Sequence, residues 1–418
     1  MPTAHGFIAP VYSPGLPLMM AAFELIGGRD AVFYVVPLLG AVAVWTTYLL
    51  GVAVSGAWAG AIAAVLLLCS PTFIDWLSQP MSDIPVMACW TIALLFALRP
   101  DTRGAIGAGV AIAVAILIRP NVAPLAVVPA LLLMTERPDR VRRAIVLVLA
   151  TVPSIALIAV LNTRWWGSPL TSGYGETAGL FAAPHIVPNL RHYLGWLTET
   201  QTPIIFAGLF APFVVARRAH ERRRLLLVTV VFPVLVLALY LPYLEFDQWP
   251  FLRFLLPAFP AMLAGLGAVM AGLARRVWSP QVAATAITIV TVSMATVEWR
   301  FANRVGATQE MIAHEPFARA VDFAGTLPRN AILISNSFSG TLHFYTGRDV
   351  LRYEVVSSQE MDSVLDALRA QGHPLYFIGH VWEVDVFKRF FSGSRAAAEL
   401  DDHRVSYVDG YAIANLSE

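Results

Sequence analysis

The chain has 418 residues, 57% of them hydrophobic and only 14% charged, with a mean hydropathy of +0.64. Its longer apolar blocks have roughly 17–25 residues, the length that crosses about 30 Å of hydrocarbon as a helix, which argues against a soluble protein. The formal net charge of +1 is not concentrated in a basic patch and so indicates no nucleic-acid partner.

The amino-terminal stretch 14–27, PGLPLMMAAFELIG, is too short and too rich in proline to span a bilayer. It is better interpreted as a helix lying at the membrane surface. Apolar spans then follow at 31–52, 57–74, 84–98, 104–118, 121–134, 144–162, 203–216, 225–243, 254–273 and 281–297. The sequence thus predicts a polytopic α-helical membrane protein with about ten transmembrane helices.

The two cysteines, Cys69 and Cys89, fall inside these apolar blocks, where cysteine acts as a small buried hydrophobic residue. His5, His185 and His192 lack the spacing of a histidine pair one helical turn apart. We therefore predict no metal site built on cysteine or histidine.

The arginines are distributed unequally between alternate loops. One set of loops, around 99–103, 137–143, 217–224 and 275–276, holds thirteen arginines, whereas the other set holds only Arg29, Arg119, Arg164, Arg191 and Arg253. Cytoplasmic loops carry the excess of positive charge, so the first set is predicted to be cytoplasmic. This orientation places the N-terminus, the 164–202 loop and the whole tail after residue 298 outside.

The tail changes character at about residue 300, where charged residues become frequent and apolar runs shorten to strand length. The predicted helices are 315–327, 338–346, 358–371 and 382–391, and the predicted strands are 330–335, 350–356, 374–379 and 410–415. This alternation indicates a small soluble α/β domain with a mainly parallel sheet. The predicted layout is an external loop and surface helix at 1–30, a transmembrane domain at 31–298 and an external α/β domain at 299–418.

Several polar stretches are predicted to lie at the outer face of the membrane. They are HGFIAPVYSPGLP (5–17), DWLSQPMSDIP (75–85), IRPNVAP (118–124), NTRWWGSPLTSGYGET (162–177) and EFDQWPFLRFLLPAFP (245–260). Taken singly, each is explained by turns between helices or by interfacial aromatic residues. Collected on one face, polar residues at membrane depth indicate a functional site.

The ordered set YSPGLPLMMAAFELIGG, SQPMSDIPVMACW, WWGSPLTSGYG and LRFLLPAFPAML resembles the bacterial GT-C glycosyltransferases of the protein mannosyltransferase and aminoarabinose transferase type. The resemblance covers essentially the whole chain. It implies inverting transfer of a sugar from a polyprenyl-phosphate donor, at the outer face of the bacterial inner membrane. Apolar grooves between the helices are expected to hold the donor's lipid tail within the lipid bilayer, with its headgroup at the interface. Such a transfer needs a carboxylate to take the proton of the acceptor hydroxyl and cations to stabilise the departing phosphate.

The resemblance also gives roles to four residues. Asp83, in MSDIP, matches the second acidic position of the family and is expected to orient the acceptor or a metal ion, with a helix N-cap as the alternative. Arg253, which opens FLLPAFP, and Arg119, in a short external turn, are expected to bind the donor phosphate, with interfacial anchoring as the alternative. Tyr174, in SPLTSGYG, is expected on the acceptor side, although a turn packed by an aromatic ring explains it equally well.

The principal catalytic aspartate of the family is expected in the first external loop, upstream of a Pro-Gly-x-Pro stretch. Pro14–Pro17 matches that stretch, but no Asp or Glu precedes it. We therefore expect the DNA upstream of the Met1 codon to encode, in frame, a further apolar helix followed by an acidic residue.

Two other functions stay open from the sequence. One is a non-catalytic homologue that binds a glycolipid, and the other is a transporter of a lipid-linked substrate, which the lack of internal repeats and of midplane polar residues disfavours. The sugar, the acceptor (protein, lipid A or cell-envelope polysaccharide) and any cofactor are not assigned. A divalent cation held by one or two carboxylates would leave little trace in the sequence.

Overall fold

The computed structural model describes residues 11–135, 139–174, 180–309, 315–400, 405–408 and 410–417. These residues belong to two compact units, Met1–Thr308 and Gln309–Glu418. The division between the units lies beyond the predicted boundary at 298/299, because the last long helix of the first unit continues to Arg304.

The first unit consists mainly of α-helices. In chain order these are α1 Gly15–Gly27, α2 Val35–Ser55, α3 Ala57–Cys69, α4 Pro71–Leu77, α5 Asp83–Ala97, α6 Thr102–Ile118, α7 Val127–Leu133, α8 Arg140–Trp166, α9 Ile186–Gln201, α10 Ala211–Val214, α11 Ala219–Leu226, α12 Phe232–Tyr240, α13 Phe259–Val277 and α14 Pro280–Arg304. Segments of 3-10 helix adjoin several of them, at Arg29–Tyr34, Pro120–Ala126, Ala183–His185, Pro203–Phe210, Trp249–Ala258 and Ala307–Gln309, and a π-helical turn, Leu227–Val231, joins α11 to α12.

All ten predicted apolar blocks coincide with helical segments, which confirms the prediction of a largely helical membrane protein. Among the described residues, the segments long and apolar enough to cross a membrane are Arg29–Ser55, Arg140–Trp166, Ala219–Tyr240, Trp249–Val277 and Pro280–Arg304. The bent pair α3 and α4 adds at most one more, and the other blocks form shorter helices. The predicted number of about ten spans is therefore not confirmed.

The bend between α3 and α4 has a local cause in the sequence. Ser70, with φ −61° and ψ 120°, is extended and stands directly before Pro71. A residue before proline is disfavoured in the helical region, so α3 ends there and α4 begins at the proline with a bend of 60°. The bend redirects the short helix that carries Trp76.

The segment Trp249–Val277 lies at the centre of the first unit and is almost wholly buried, whereas α8 and α14 are mostly exposed. Small residues allow its neighbours to approach closely. A Cβ atom on Gly267 would lie 2.5 Å from the carbonyl oxygen of Ala59, and one on Gly265 would lie 2.6 Å from that of Gly208. Such contacts between backbones are typical of helix packing in membranes, where small residues replace the hydrophobic effect as the means of association.

An acidic residue, Glu298, lies on the buried stripe of α14, which also includes Thr291, Met294, Ala295 and Ala302. Its side chain is 1% exposed, and among the described residues neither carboxylate oxygen has a hydrogen-bond partner. A buried polar group without a partner costs about 1–3 kcal/mol, so this position destabilises the fold.

Replacing Glu298 by methionine, which is similar in length and has no oxygen, is therefore expected to raise the free energy of unfolding by about 1–3 kcal/mol. Glu298→Gln retains two polar atoms without partners and is expected to give a smaller gain. Thermal unfolding of the detergent-solubilised protein measures both changes. A methionine variant that unfolds at a lower temperature than the wild type would show that the carboxylate has a stabilising partner.

The second unit combines helices with a small sheet. Its elements are α15 Glu315–Thr326, β1 Ile332–Ile334, α16 Ser339–Thr346, β2 Val350–Leu351, α17 Met361–Ala370, β3 Leu375–His380, α18 Val381–Phe390, α19 Arg395–Glu399, β4 Val405–Val408 and β5 Tyr411–Asn415. The strand order is β2-β1-β3-β5-β4, with β1 parallel to β2 and β3, and β5 antiparallel to β3 and β4. The sheet is thus mixed, and the prediction that it is mainly parallel is wrong.

The predicted strands differ from the observed ones for identifiable reasons. The predicted strand 350–356 is reduced to Val350–Leu351, because Tyr353–Val355 turns into a short 3-10 helix. Strand β4 was not predicted, since VSYV is a short run surrounded by polar residues. It pairs with β5 and supplies the antiparallel edge of the sheet.

Candidate active site

Asp83 is the first residue of α5 and is fully buried. Its Oδ1 accepts a hydrogen bond from Nη2 of Arg119 at 2.7 Å, and the same Nη2 donates to Oγ of Ser82 at 2.7 Å. Ser82 is the residue at the N-cap of α5, and the side chain of Asp83 binds Arg119. The alternative interpretation of Asp83 as a helix N-cap is therefore wrong.

The chain connectivity explains why these two residues meet. The beginning of α5 and the end of α6 lie at the same end of the unit, because a short loop at the opposite end joins the two packed helices. Arg119 follows the last residue of α6 and precedes Pro120, and it is extended, with φ −146° and ψ 91°. A buried carboxylate is tolerated when a cation and hydrogen bonds compensate it, and Arg119 supplies both.

Tyr240 and Asn121 extend this pair into a network. The hydroxyl of Tyr240, the last residue of α12, accepts a hydrogen bond from Nη1 of Arg119 at 3.4 Å and another from Nδ2 of Asn121 at 3.3 Å. Tyr240 is 2% exposed, so its hydroxyl is a buried polar group among apolar side chains.

The sequence analysis did not identify either Tyr240 or Asn121 as a site residue. Asn121 was within the polar stretch IRPNVAP, but Tyr240 lies in the apolar run LALYLPYL, where nothing marks it.

Arg253 lies in the 3-10 segment that precedes α13, and its guanidinium group is surrounded by aromatic rings. The guanidinium carbon is 4.1 Å from the ring centroid of Trp76, 5.3 Å from that of Phe251 and 5.2 Å from that of Phe254. The indole of Trp76 in turn donates to the carbonyl oxygen of Pro250 at 3.1 Å. Stacking on aromatic faces holds the guanidinium plane in place and leaves its N–H groups available.

The ring of Phe254 connects the two arginines. It lies 6.0 Å from the guanidinium carbon of Arg119 and 5.2 Å from that of Arg253, and it stacks on Tyr240 with the centroids 5.2 Å apart. Asp83 neutralises Arg119. Within the described parts of the chain Arg253 has no carboxylate at salt-bridge distance, and its buried Nε has no acceptor. Among the described residues, Arg253 is therefore the arginine of this site that has no carboxylate partner of its own.

Tyr174 lies beside this site, together with Tyr12. The two rings make an edge-to-face contact with centroids 5.9 Å apart, and Gly173 packs so closely on Val11 that a Cβ atom there would lie 2.6 Å from the Val11 Cα. Tyr174 is about half exposed, yet burial raises the pKa of its phenol. Tyr12 raises this pKa further, whereas the nearby cations of Arg119 and Arg253 lower it. The phenol is thus neutral at physiological pH and close to both arginines.

The structure therefore brings the four residues predicted from the sequence into one region of the first unit. Their individual roles remain predictions. Among the described residues, no group of three or more histidine, cysteine, aspartate or glutamate side chains is placed to hold a metal ion. The guanidinium of Arg119 occupies Oδ1 of Asp83, so a divalent cation at this carboxylate would meet a positive charge beside it.

Comparisons with known proteins concern the family and the fold. The sequence model of the family described as dolichyl-phosphate-mannose-protein mannosyltransferase matches residues 11–187, which include Asp83, Arg119 and Tyr174. No curated protein sequence matches the chain.

Two solved structures share the fold. ArnT from Cupriavidus metallidurans, crystallised with undecaprenyl phosphate, is 15% identical with a TM-score of 0.60, and the match covers 97% of this chain and 88% of that protein. An oligosaccharyltransferase of Archaeoglobus fulgidus, crystallised with zinc and sulfate, is 12% identical with a TM-score of 0.51, and the match covers 95% of this chain and 63% of that protein.

These findings define the protein as a polytopic membrane protein with the fold of GT-C glycosyltransferases. The first part of the chain, residues 11–187, is also similar to the mannosyltransferase family.

Proposed function

We propose that the protein is an integral membrane glycosyltransferase that takes its sugar from a polyprenyl-phosphate donor. The observation that carries this proposal is the pair of guanidinium groups on either side of Phe254, next to the buried carboxylate of Asp83. Binding of undecaprenyl phosphate by ArnT, whose fold the chain shares, supports the same donor class.

Arg253 is the group best suited to bind the donor phosphate. Its charge is uncompensated in the described residues, and its N–H groups are not consumed by carboxylates. A guanidinium forms short, charge-assisted hydrogen bonds to phosphate oxygens, and these strengthen as the leaving phosphate gains negative charge. The rings of Trp76, Phe251 and Phe254 orient the guanidinium before the donor binds.

Arg119 has a different position, because Asp83 and Ser82 already use one of its nitrogens. It contacts the phosphate through the remaining N–H groups while holding the carboxylate in place. Oδ2 of Asp83 is buried and has no partner among the described residues, and we propose that it accepts the hydrogen bond of the acceptor hydroxyl in the complex with both substrates. Tyr174, neutral and beside both arginines, borders the acceptor side of the site.

We propose the following topology. The ten apolar blocks cross the membrane, the arginine-rich loops are cytoplasmic, and the site faces the outside of a bacterial inner membrane. In this orientation the second unit is external. The lipid tail of the donor lies against the apolar helices, and transfer inverts the configuration at the sugar.

Binding of undecaprenyl phosphate to the purified protein tests the donor class. We expect this lipid to raise the unfolding temperature and undecaprenol, which lacks the phosphate, to have little effect. Equal stabilisation by both lipids would overturn the proposed phosphate site.

Transfer is tested with radiolabelled polyprenyl-phosphate sugars and membrane vesicles that contain the protein, using hexose, pentose and aminosugar donors in parallel. We expect one donor class to be consumed with the sugar moved to an endogenous acceptor. Binding of undecaprenyl phosphate without transfer from any donor would instead favour a non-catalytic glycolipid-binding protein.

A further inference from the structure

Asn189, near the beginning of α9, is buried and directs its side-chain amide at the backbone where α12 ends. Its Nδ2 lies 2.6 Å from the carbonyl oxygen of Tyr243, 3.0 Å from that of Leu241 and 3.4 Å from that of Tyr240. One amide nitrogen with two hydrogens thus serves three carbonyl oxygens within four residues.

These carbonyls lie where α12 ends. That of Tyr240 belongs to the last turn of the helix, whose carbonyl groups lack intrahelical donors, and it also accepts a 3.3 Å hydrogen bond from the backbone N–H of Tyr243. The carbonyls of Leu241 and Tyr243 follow the helix end. Two backbone hydrogen bonds reinforce the contact, from Ala182 N to Pro242 O at 2.7 Å and from Leu244 N to Leu180 O at 3.0 Å. The segment 180–189 therefore holds residues 240–244 at several points.

The segment held in this way carries two aromatic residues of the site. The hydroxyl of Tyr240 contacts both Arg119 and Asn121, and the ring of Tyr243 packs edge-on against Phe254 at 5.3 Å. A small displacement of the α12 end would move the Tyr240 hydroxyl away from Arg119, whose hydrogen bond to it is already 3.4 Å long. Arg253 would keep its place, since it stacks on Trp76.

We infer that Asn189 is a positioning residue for sugar transfer, acting through Tyr240 on the Arg119–Asp83 pair; the catalytic part of this inference rests on the proposed function. Aspartate at position 189 has the same shape but lacks the N–H donors and directs an oxygen at the carbonyl groups. The substitution therefore removes the contact without creating a cavity.

Hydrogen exchange tests the contact itself. Asn189→Asp is expected to raise the exchange of backbone amides in residues 240–246 about tenfold, since the segment opens locally without the donor. Thr200→Val is the matched control, because Thr200 is also buried in α9 and, among the described residues, its hydroxyl bonds within its own helix, to the carbonyl of Trp196 at 2.7 Å. Unchanged exchange at 240–246 in Asn189→Asp would overturn the inference.

Kinetics test the positioning role. We expect Asn189→Asp to lower kcat about tenfold to a hundredfold, a range typical of a misplaced catalytic group. The KM for the donor should change less than about threefold, because Arg253 still binds the phosphate. Thr200→Val should keep both parameters. Equal losses of kcat in the two variants, or full kcat in Asn189→Asp, would contradict the inference.

The two proposals fail in distinguishable ways. A wild-type protein that neither binds undecaprenyl phosphate nor transfers sugar would refute the proposed function. The structural part of the inference would then be decided by hydrogen exchange alone, where raised exchange at 240–246 supports it and unchanged exchange refutes it.

Discussion

Arg119→Ala is expected to reduce sugar transfer about a hundredfold to a thousandfold, the loss typical of a group that stabilises developing charge. The substitution removes the partner of Asp83 and two further hydrogen bonds, to Ser82 and Tyr240. Breaking a buried ion pair from one side also destabilises the fold, by about 3–5 kcal/mol, since the other charge is left buried. The rate of transfer and the thermal unfolding temperature together measure both effects.

A double variant separates the chemical effect from the loss of stability. Asp83→Asn together with Arg119→Ala removes both charges, so we expect it to recover most of the lost stability while transfer stays low. Asp83→Asn alone should also lower transfer. Recovery of transfer in the double variant would show that the pair has only a structural role.

The exposed pair of Arg99 and Asp101 provides the control for this experiment. Its nitrogen and oxygen are 3.5 Å apart, and about half of each side chain is exposed. Such surface pairs contribute about 0–1 kcal/mol, so Arg99→Ala should leave both stability and transfer nearly unchanged.

Much of the site could be predicted from the sequence because packed helices that are joined by short loops alternate in direction. Asp83 begins one helix and Arg119 ends the next, so both lie at the same end of the unit, as the alternation of arginine-rich and arginine-poor loops indicated. Polar residues in an apolar context stand out for the same reason, since each needs a partner or a function. Asp83, Arg119, Arg253 and Tyr174 all carried this signal.

The partners of these residues could not be predicted. Tyr240 lies 121 residues from Arg119 in the chain, and Asn189 lies 51 residues before Tyr240, so no local periodicity relates them. Tyrosine within an apolar run is interpreted as an interfacial or packing residue, because its hydroxyl is a small part of a large ring. Only the packing of α9 and α12 brings these groups to the site.

Helix length was the other limit of prediction. Blocks 84–98 and 104–118 were counted as spans because they are apolar, but α5 and α6, with 15 and 17 residues, are shorter than the helices that meet the length of a membrane span. Apolar composition alone therefore overestimates the number of helices that are long enough to cross. In the second unit, the strand pairing depended on β4, a short polar-flanked strand whose pairing to β5 is a tertiary contact.

Arg253→Ala is expected to weaken binding of undecaprenyl phosphate about tenfold to a hundredfold. A hydrogen bond to a charged group contributes about 1.5–3 kcal/mol, and 1.4 kcal/mol corresponds to a factor of ten. Because the phosphate is bound both before and during transfer, the KM for the donor should rise and the rate of sugar transfer should fall. Binding is measured by titration of the detergent-solubilised protein with undecaprenyl phosphate at two salt concentrations.

Two variants test whether the geometry of Arg253 matters as well as its charge. Arg253→Lys keeps the charge but loses the planar group that stacks 4.1 Å from Trp76, so we expect it to recover only part of the affinity. Arg191→Ala removes an exposed arginine from α9 and serves as the control for long-range attraction. A direct contact between Arg253 and the phosphate predicts that Arg253→Ala weakens binding more than Arg191→Ala does. Equal losses of affinity in the two variants would show that the phosphate is attracted by the general positive charge of the protein surface.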